Sequence, residues 1–380
     1  HDLPQVGQPL LHCRIERFRA DQRIGLLMHG LARDTDHLLK KLWKLADMPS
    51  DWALFAVGGY GRGELQPASD VDLLLLAPEP EQARDAAATS ANTVSPAPQV
   101  SPANSPSEGA HDTPSASTAA DATTAPPAPA LSDDTIAHIE RFIGACWDIG
   151  LEIGHSVRTP AQCAQAARED ITAMTALLER RQLTGHRRAA RQLSEAMAGQ
   201  LQLPLFLRDK LLEMRQRHQK YEDTPYSLEP NCKESPGALR DLQVVAWISR
   251  AAGFGQAWVS LVRAGVIEPL EASQLQRYER LLKRIRAWLH ILSGRREDRL
   301  IFDLQPAVAQ AMHLKGEGPR ALSEKLMQQY YLAAKGITQL STLLLQSLEI
   351  RLLRQHPGPA RRLDDHFDQI DDQLDLRDPQ

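Results

Sequence analysis

Asp70 and Asp72 stand two residues apart at the head of the apolar run 71–76, directly after Ser69. Side chains at i and i+2 of a strand project from one face with Cα atoms about 6.6 Å apart, so the two carboxylates converge on one small volume. Such a pair resists joint ionisation unless a cation compensates it, and hard oxygen ligands select Mg2+ or Mn2+. A two-ion site about 3.5–4 Å across is the economical reading. Taken alone, Asp-x-Asp is more often a turn or a cap, so the neighbouring residues decide.

Those neighbours are Gly58-Gly59-Tyr60-Gly61-Arg62-Gly63-Glu64. Glycines let a turn bring backbone N–H groups close to phosphate oxygens, and Arg62 adds a charged contact.

Elements of two kinds must hold this constellation. Residues 52–57 and 71–76 are short apolar runs and are predicted as buried strands on either side of the glycine turn. Residues 11–47 carry apolar side chains at helical spacing and predict two helices broken near Gly30 to Asp34. Of the 45 residues from 86 to 130, 35 are Ala, Pro, Ser or Thr, with no aromatic, Lys or Arg. That stretch cannot bury enough apolar surface to offset its ordering entropy and reads as a disordered insert. Residues 135–149 then predict a helix and 151–158 a strand, so the insert interrupts a single α/β unit.

From Thr159 onward the pattern reads as helical almost throughout. The expected fold class is therefore α+β: N-terminal helices (1–50), a domain with a small mixed sheet (51–160) and an all-α domain (161–355). The tail (356–380), with Leu363, Phe367, Ile370 and Leu374 roughly periodic, reads as a last helix or a linker.

Composition narrows the partners. A formal net charge of −4 supplies no broad attraction to nucleic acid or to an anionic membrane. Cys13, Cys146, Cys163 and Cys232 match neither a zinc site nor a disulfide framework, which fits a reducing cytoplasm. No apolar run approaches the ~20 residues of a membrane span, and no secretory pattern opens the sequence, which begins without Met.

Strand, Gly-Gly turn, Ser-Asp-x-Asp and apolar strand in this order resemble the signature of the DNA polymerase β-type nucleotidyltransferase superfamily. That resemblance implies a polymerase β-like domain and a third carboxylate on a neighbouring strand. In residues 151–158 the even positions share a face, which makes Glu152 the candidate and Asp148 the runner-up.

The wording from Val57 to Leu65, with Pro67 and Ser69-Asp70-Val71-Asp72, more closely resembles the N-terminal part of the bacterial bifunctional PII uridylyltransferase/uridylyl-removing enzymes. The block Leu228 to Gln243, with Ala238 where that family usually has Gly, agrees with it. So do Ser293 to Leu300, Phe302-Asp303-Leu304-Gln305 and the strand Gly154-His155-Ser156-Val157-Arg158-Thr159. Ser235 with Pro236 is predicted to open a helix, placing Lys233 and Arg240 near its N-terminus as triphosphate contacts. Asp241 with Arg240, and Arg295 with Arg299, have a plain structural alternative as ion pairs.

The resemblance implies transfer of UMP from UTP to a tyrosine of a PII signal protein, with release of pyrophosphate. Asp70, Asp72 and Glu152 would be the catalytic metal ligands, with Mg2+ or Mn2+ as cofactor. Gly58, Gly59, Arg62, Ser69, Lys233 and Arg240 would bind the nucleotide. Neither His1-Asp2 nor His111-Asp112 reads as the family's hydrolytic His-Asp motif, so only the forward reaction is expected here. The glutamine synthetase adenylyltransferases are a rival, although they usually carry Arg-Leu-Arg-Pro where this chain has Ser156-Val157-Arg158-Thr159. A non-catalytic nucleotide-sensing module is the other alternative.

Overall fold

The computed structural model describes residues 7–79, 131–353, 361–362, 367–370 and 373–376. The insert 86–130, with His111-Asp112, and the pair His1-Asp2 lie outside the described residues.

Helix α1 (Gly7–Asp21) is followed by α2 (Ile24–Leu45), and the chain breaks at Gln22, whose φ is 54°, not near Gly30. Gly30 sits inside α2, where a Cβ would come within 2.8 Å of the Arg14 guanidinium. Arg14 also pairs with Asp34 at 2.8 Å, so the predicted breaking point is the seat of α1 on α2.

The sheet is built from β1 (Ala53–Ala56), β2 (Val71–Leu76), β3 (Ile153–Arg158) and β4 (Arg181–Gly185), in the order β3-β2-β1-β4. A single helical turn, α3 (Gly58–Gly61), joins β1 to β2, which pair antiparallel, while β2 and β3 run parallel. Helix α4 (Asp133–Asp148) lies on the parallel crossover. Its N-cap is Ser132, whose hydroxyl oxygen accepts the Thr135 N–H. Both faces of β1 and β2 are covered, which is why they read as continuous apolar runs rather than as alternation. Asp72 is the one residue of β2 that is not fully buried.

After β3, Thr159 and Gln162 form a reciprocal capping box that opens α5 (Pro160–Glu169), and α6 (Ile171–Leu178) follows. The fourth strand then returns to the edge beside β1, so the sheet extends beyond residue 160 into the stretch expected to be helical.

The rest of the main body comprises α7 (Ala189–Met197), α8 (Leu203–Lys220), α9 (Leu239–Ala251), α10 (Trp258–Arg263), α11 (Pro269–Ser293), α12 (Gln305–Ala311) and α13 (Gly318–Leu353). Leu326, Tyr330, Ile337, Leu344 and Leu348 of α13 are buried at helical spacing, and they share one continuous core with the sheet. Gly294, in the left-handed region, ends α11.

In the tail, β5 (Arg361–Arg362), β6 (Phe367–Ile370) and β7 (Gln373–Leu376) form an antiparallel sheet instead of the expected helix or linker. Gln373-Leu374-Asp375-Leu376 alternates with period two, a strand signal that the wider three-to-four spacing concealed. Among the described residues no helix is long and apolar enough to cross a membrane.

Candidate active site

The site begins where β1 ends. Gly58 has φ +55°, and a Cβ there would stand 3.3 Å from Asp72 Oδ2, so the glycine serves both the turn and the close approach of a carboxylate. The Val57 N–H donates to the Asp72 carbonyl at 3.1 Å, tying the turn to β2.

Asp70 and Asp72 face one cavity of about 280 Å3. Burial first, and then the neighbouring Asp70 charge, raise the Asp72 carboxyl above its ordinary range, while Lys233 and Arg296 oppose the shift. Two convergent carboxylates oppose each other's ionisation in this way. Asp70 is half-exposed and accepts from Arg296 at 3.0 Å.

Lys233 and Arg240 stand on the wall contributed by the helical half. Ser235 does not cap a helix here: its hydroxyl accepts the Asn231 N–H, and α9 starts at Leu239 with Ala238 as its N-cap. The turn is held by Asn231 Oδ1, which accepts the N–H groups of Lys233 and Glu234 at 2.9 and 2.8 Å. Burial, with Arg240 and Arg286 nearby, lowers the Lys233 ammonium below the usual lysine value. Arg240 pairs with Glu234 at 2.9 Å and lies 5.4 Å from the centre of the Trp247 ring.

Several residues without a sequence motif complete the wall. Trp247 donates its indole N–H to Glu179 at 2.6 Å, and Glu179 is 3% exposed. One Arg62 nitrogen donates to both oxygens of Glu179, at 2.8 and 2.6 Å. Arg62 is thus held at the cavity wall by a buried counter-charge. Lys210 lies 4.4 Å from the centre of the Trp247 ring, and Lys283 bridges Glu64 and Glu279 at 2.6 and 2.7 Å. Arg296 lies in the block Ser293 to Leu300, but no periodicity or spacing marks Glu179 or Trp247 as part of a site.

Gly58, Gly59, Arg62, Ser69, Asp70, Asp72, Lys233 and Arg240 all line the same cavity. Glu152 does not. It lines a neighbouring cavity of about 610 Å3, together with Asp34, Ser69, Arg295 and Arg296. The residue paired with Asp72 across the parallel strands is Gly154, where a Cβ would fall 2.8 Å from Asp72 Oδ1, leaving no room for a third side chain. Asp148, at the exposed end of α4, lines neither cavity. Among the described residues no three His, Cys, Asp or Glu side chains group so as to hold a metal ion.

The other charged residues of these blocks are engaged in ion pairs and hydrogen bonds. Asp241 is buried and accepts from Arg217, His218 and the Gly237 N–H. Arg295 pairs with Glu297 at 3.0 Å and Arg299 with Glu229 at 3.3 Å.

Comparison with known proteins bears on both halves. Residues 38–103 match the nucleotidyltransferase domain model, and residues 205–345 match the family described as GlnD PII-uridylyltransferase. The bifunctional uridylyltransferase/uridylyl-removing enzyme of Bordetella parapertussis is 43% identical over 374 residues, 98% of this chain and 38% of that protein. The proteins of the same name from Cupriavidus pinatubonensis and Burkholderia lata are each 44% identical over 92% of this chain, and over 34% and 35% of their own lengths. The chain thus spans just over a third of the length of the curated relatives it matches.

Proposed function

Over the stretch it shares with them, this chain belongs to the family of bifunctional uridylyltransferase/uridylyl-removing enzymes, and from that membership we propose that it transfers UMP from UTP to a tyrosine of a PII signal protein. The phenol oxygen bonds to the α-phosphorus, the bond to pyrophosphate breaks, and the phenolic proton leaves to water. The observation that carries this reading is the pair Asp70 and Asp72 facing Lys233 and Arg240 across one cavity.

A raised Asp72 beside Asp70 is an all-oxygen donor set suited to Mg2+ or Mn2+. A divalent ion held there supplies charge compensation and polarises the transferred phosphoryl group. The protein's own part is placement and electrostatics. Gly58 and Gly59 open a helical turn whose first N–H groups have no intrahelical acceptor and lie free to meet phosphate oxygens. Lys233 and Arg240 stabilise the charge that accumulates on departing pyrophosphate, and Trp247 keeps Arg240 in place through its ring face. The buried Glu179 holds Arg62 at the edge of the same cavity. Four free cysteines accord with a reducing, cytoplasmic setting.

The experiment is a competition of UTP against ATP with a PII protein present, following label on the acceptor and pyrophosphate release. UMP on a PII tyrosine is expected. Preferential labelling from ATP would sink the uridylyl assignment, and no Mg2+-dependent pyrophosphate release would sink the enzyme reading.

A further inference from the structure

Helix α11 carries two stripes of basic residues. Lys283 and Arg286 look into the active-site cavity, whereas Arg277, Arg280 and Arg284, three and four residues apart, line a separate groove of about 1070 Å3 beside α2 and α13. Arg23 and His29 bring two further nitrogen groups to that groove, and none of its thirteen lining residues is Asp or Glu.

Carboxylates nearby are turned elsewhere. Glu279, on the same helix, is taken by Lys283 and by the indole N–H of Trp258, and Glu64 is taken by Lys283. Among the described residues no ion pair involves Arg23, Arg277, Arg280 or Arg284. Arg277 lies over the Tyr278 ring at 5.6 Å, and Arg280 reaches only the Gln276 carbonyl. The Arg284 Nε is buried and has no hydrogen-bond partner. Burial alone lowers the Arg284 pKa, with no carboxylate raising it.

A chain of net charge −4 thus gathers four guanidiniums without counter-charge around one groove. A buried donor left unsatisfied is costly, more so when it is charged, and a ligand that satisfies it recovers that cost. Guanidinium forks match the paired oxygens of phosphate and carboxylate groups. We propose that this groove is a second binding site, one that takes a compact multivalent oxyanion bearing clustered phosphate or carboxylate groups. Because α11 forms a wall of both chambers, the bound anion and the nucleotide act on the same helix. The site stands independently of the uridylyl-transfer reading.

The test is calorimetric titration of the chain with inorganic tripolyphosphate and, separately, with citrate, at 0.15 M salt and without divalent ions, so that weak surface attraction is screened. A K233A/R240A protein disables phosphate binding in the active site. In that background a saturable site is expected to remain, and R280Q/R284Q is expected to weaken it at least tenfold. Arg23→Glu, a change at an exposed position, is expected to weaken it as well, and it decides the matter if the double variant unfolds. Preference for one anion separates phosphate from carboxylate chemistry, and either supports the site. The proposal is overturned if neither anion binds the K233A/R240A protein, or if variants that melt like the parent titrate unchanged.

Discussion

Trp247 and Glu179 are joined by a 2.6 Å hydrogen bond from the indole N–H to a buried carboxylate, and through Arg62 this contact links the helical half of the molecule to the glycine turn. The carboxylate also carries Arg62, and the ring carries Arg240 and Lys210 on its faces. Glu179→Ala leaves the mostly buried Arg62 with only Glu64, at 3.7 Å, as counter-charge, so a loss of about 3 kcal/mol is expected in urea unfolding. Trp247→Phe keeps a ring face but deletes one donor, for about 1–2 kcal/mol, with KM for the nucleotide rising more than kcat falls. An unchanged KM in a folded Trp247→Phe protein would count against the positioning role.

On the proposed metal reading, Asp70→Asn and Asp72→Asn each exchange a charged carboxylate oxygen for an amide nitrogen. Loss of several kcal/mol of transition-state stabilisation lowers kcat by about a thousandfold or more. Because burial and Asp70 already oppose ionisation of Asp72, Asp72→Asn is expected to melt no lower than the parent in the absence of metal. Full turnover in either variant would remove the metal assignment, and chelation of divalent ions is expected to stop the parent enzyme.

Arg296 competes for Asp70. Both side chains are half-exposed, and such a pair contributes about 0–1 kcal/mol. Arg296→Ala is therefore expected to leave the melting temperature unchanged and to lower the Mg2+ concentration for half-maximal activity, by up to about fivefold. A higher Mg2+ requirement would show that Arg296 assists the site instead.

His290 sets a pH dependence. Its Nδ1 accepts the Ala68 N–H at 3.2 Å, so its Nε2 carries the proton that Asp298 accepts at 3.1 Å. Burial lowers the imidazole below the ordinary value of 6.5, although Asp298 pulls the other way. The folded protein then takes up the second ring proton, at Nδ1, less readily than the unfolded chain. The contribution to stability is full above about pH 6.5 and is lost as the pH falls from there toward the folded value. Urea midpoints are expected to decline between pH 7 and 5.5, with a shallower decline in His290→Gln. Equal slopes in the two proteins would exclude His290 as the source.

The central hairpin was legible because its physics is local: two buried runs, a glycine turn and carboxylates at strand spacing. The fourth strand was not. Arg181-Gln182-Leu183-Thr184-Gly185 pairs only with β1 and buries a single side chain, so it shows neither an apolar run nor alternation. Gly30 misled, because it answers to a neighbour distant in sequence, the Arg14 guanidinium, as Gly154 answers to the Asp72 carboxylate. Glu152 carries the expected residue type on the expected strand. The parallel register, which no sequence pattern displays, sets Gly154 opposite Asp72 and leaves Glu152 in another cavity. Glu179 and Trp247 matter through a single tertiary contact, which leaves no periodic trace.

The parallel pairing of Val71 with Ile153 closes a loop of 82 positions, whereas Ala56 and Leu73 are only 17 positions apart. Assembly order follows from this difference. The β1–β2 hairpin, bearing both carboxylates, closes cheaply, and docking of β3 waits on a distant partner. Removing residues 86–130 shortens the β2–β3 connection by more than half and saves roughly 0.8 kcal/mol of closure entropy, or about fourfold in refolding rate if β3 docking limits it. Stopped-flow refolding reads that rate, with uridylyl transfer expected to be unchanged, and equal refolding rates would place the barrier elsewhere in the chain.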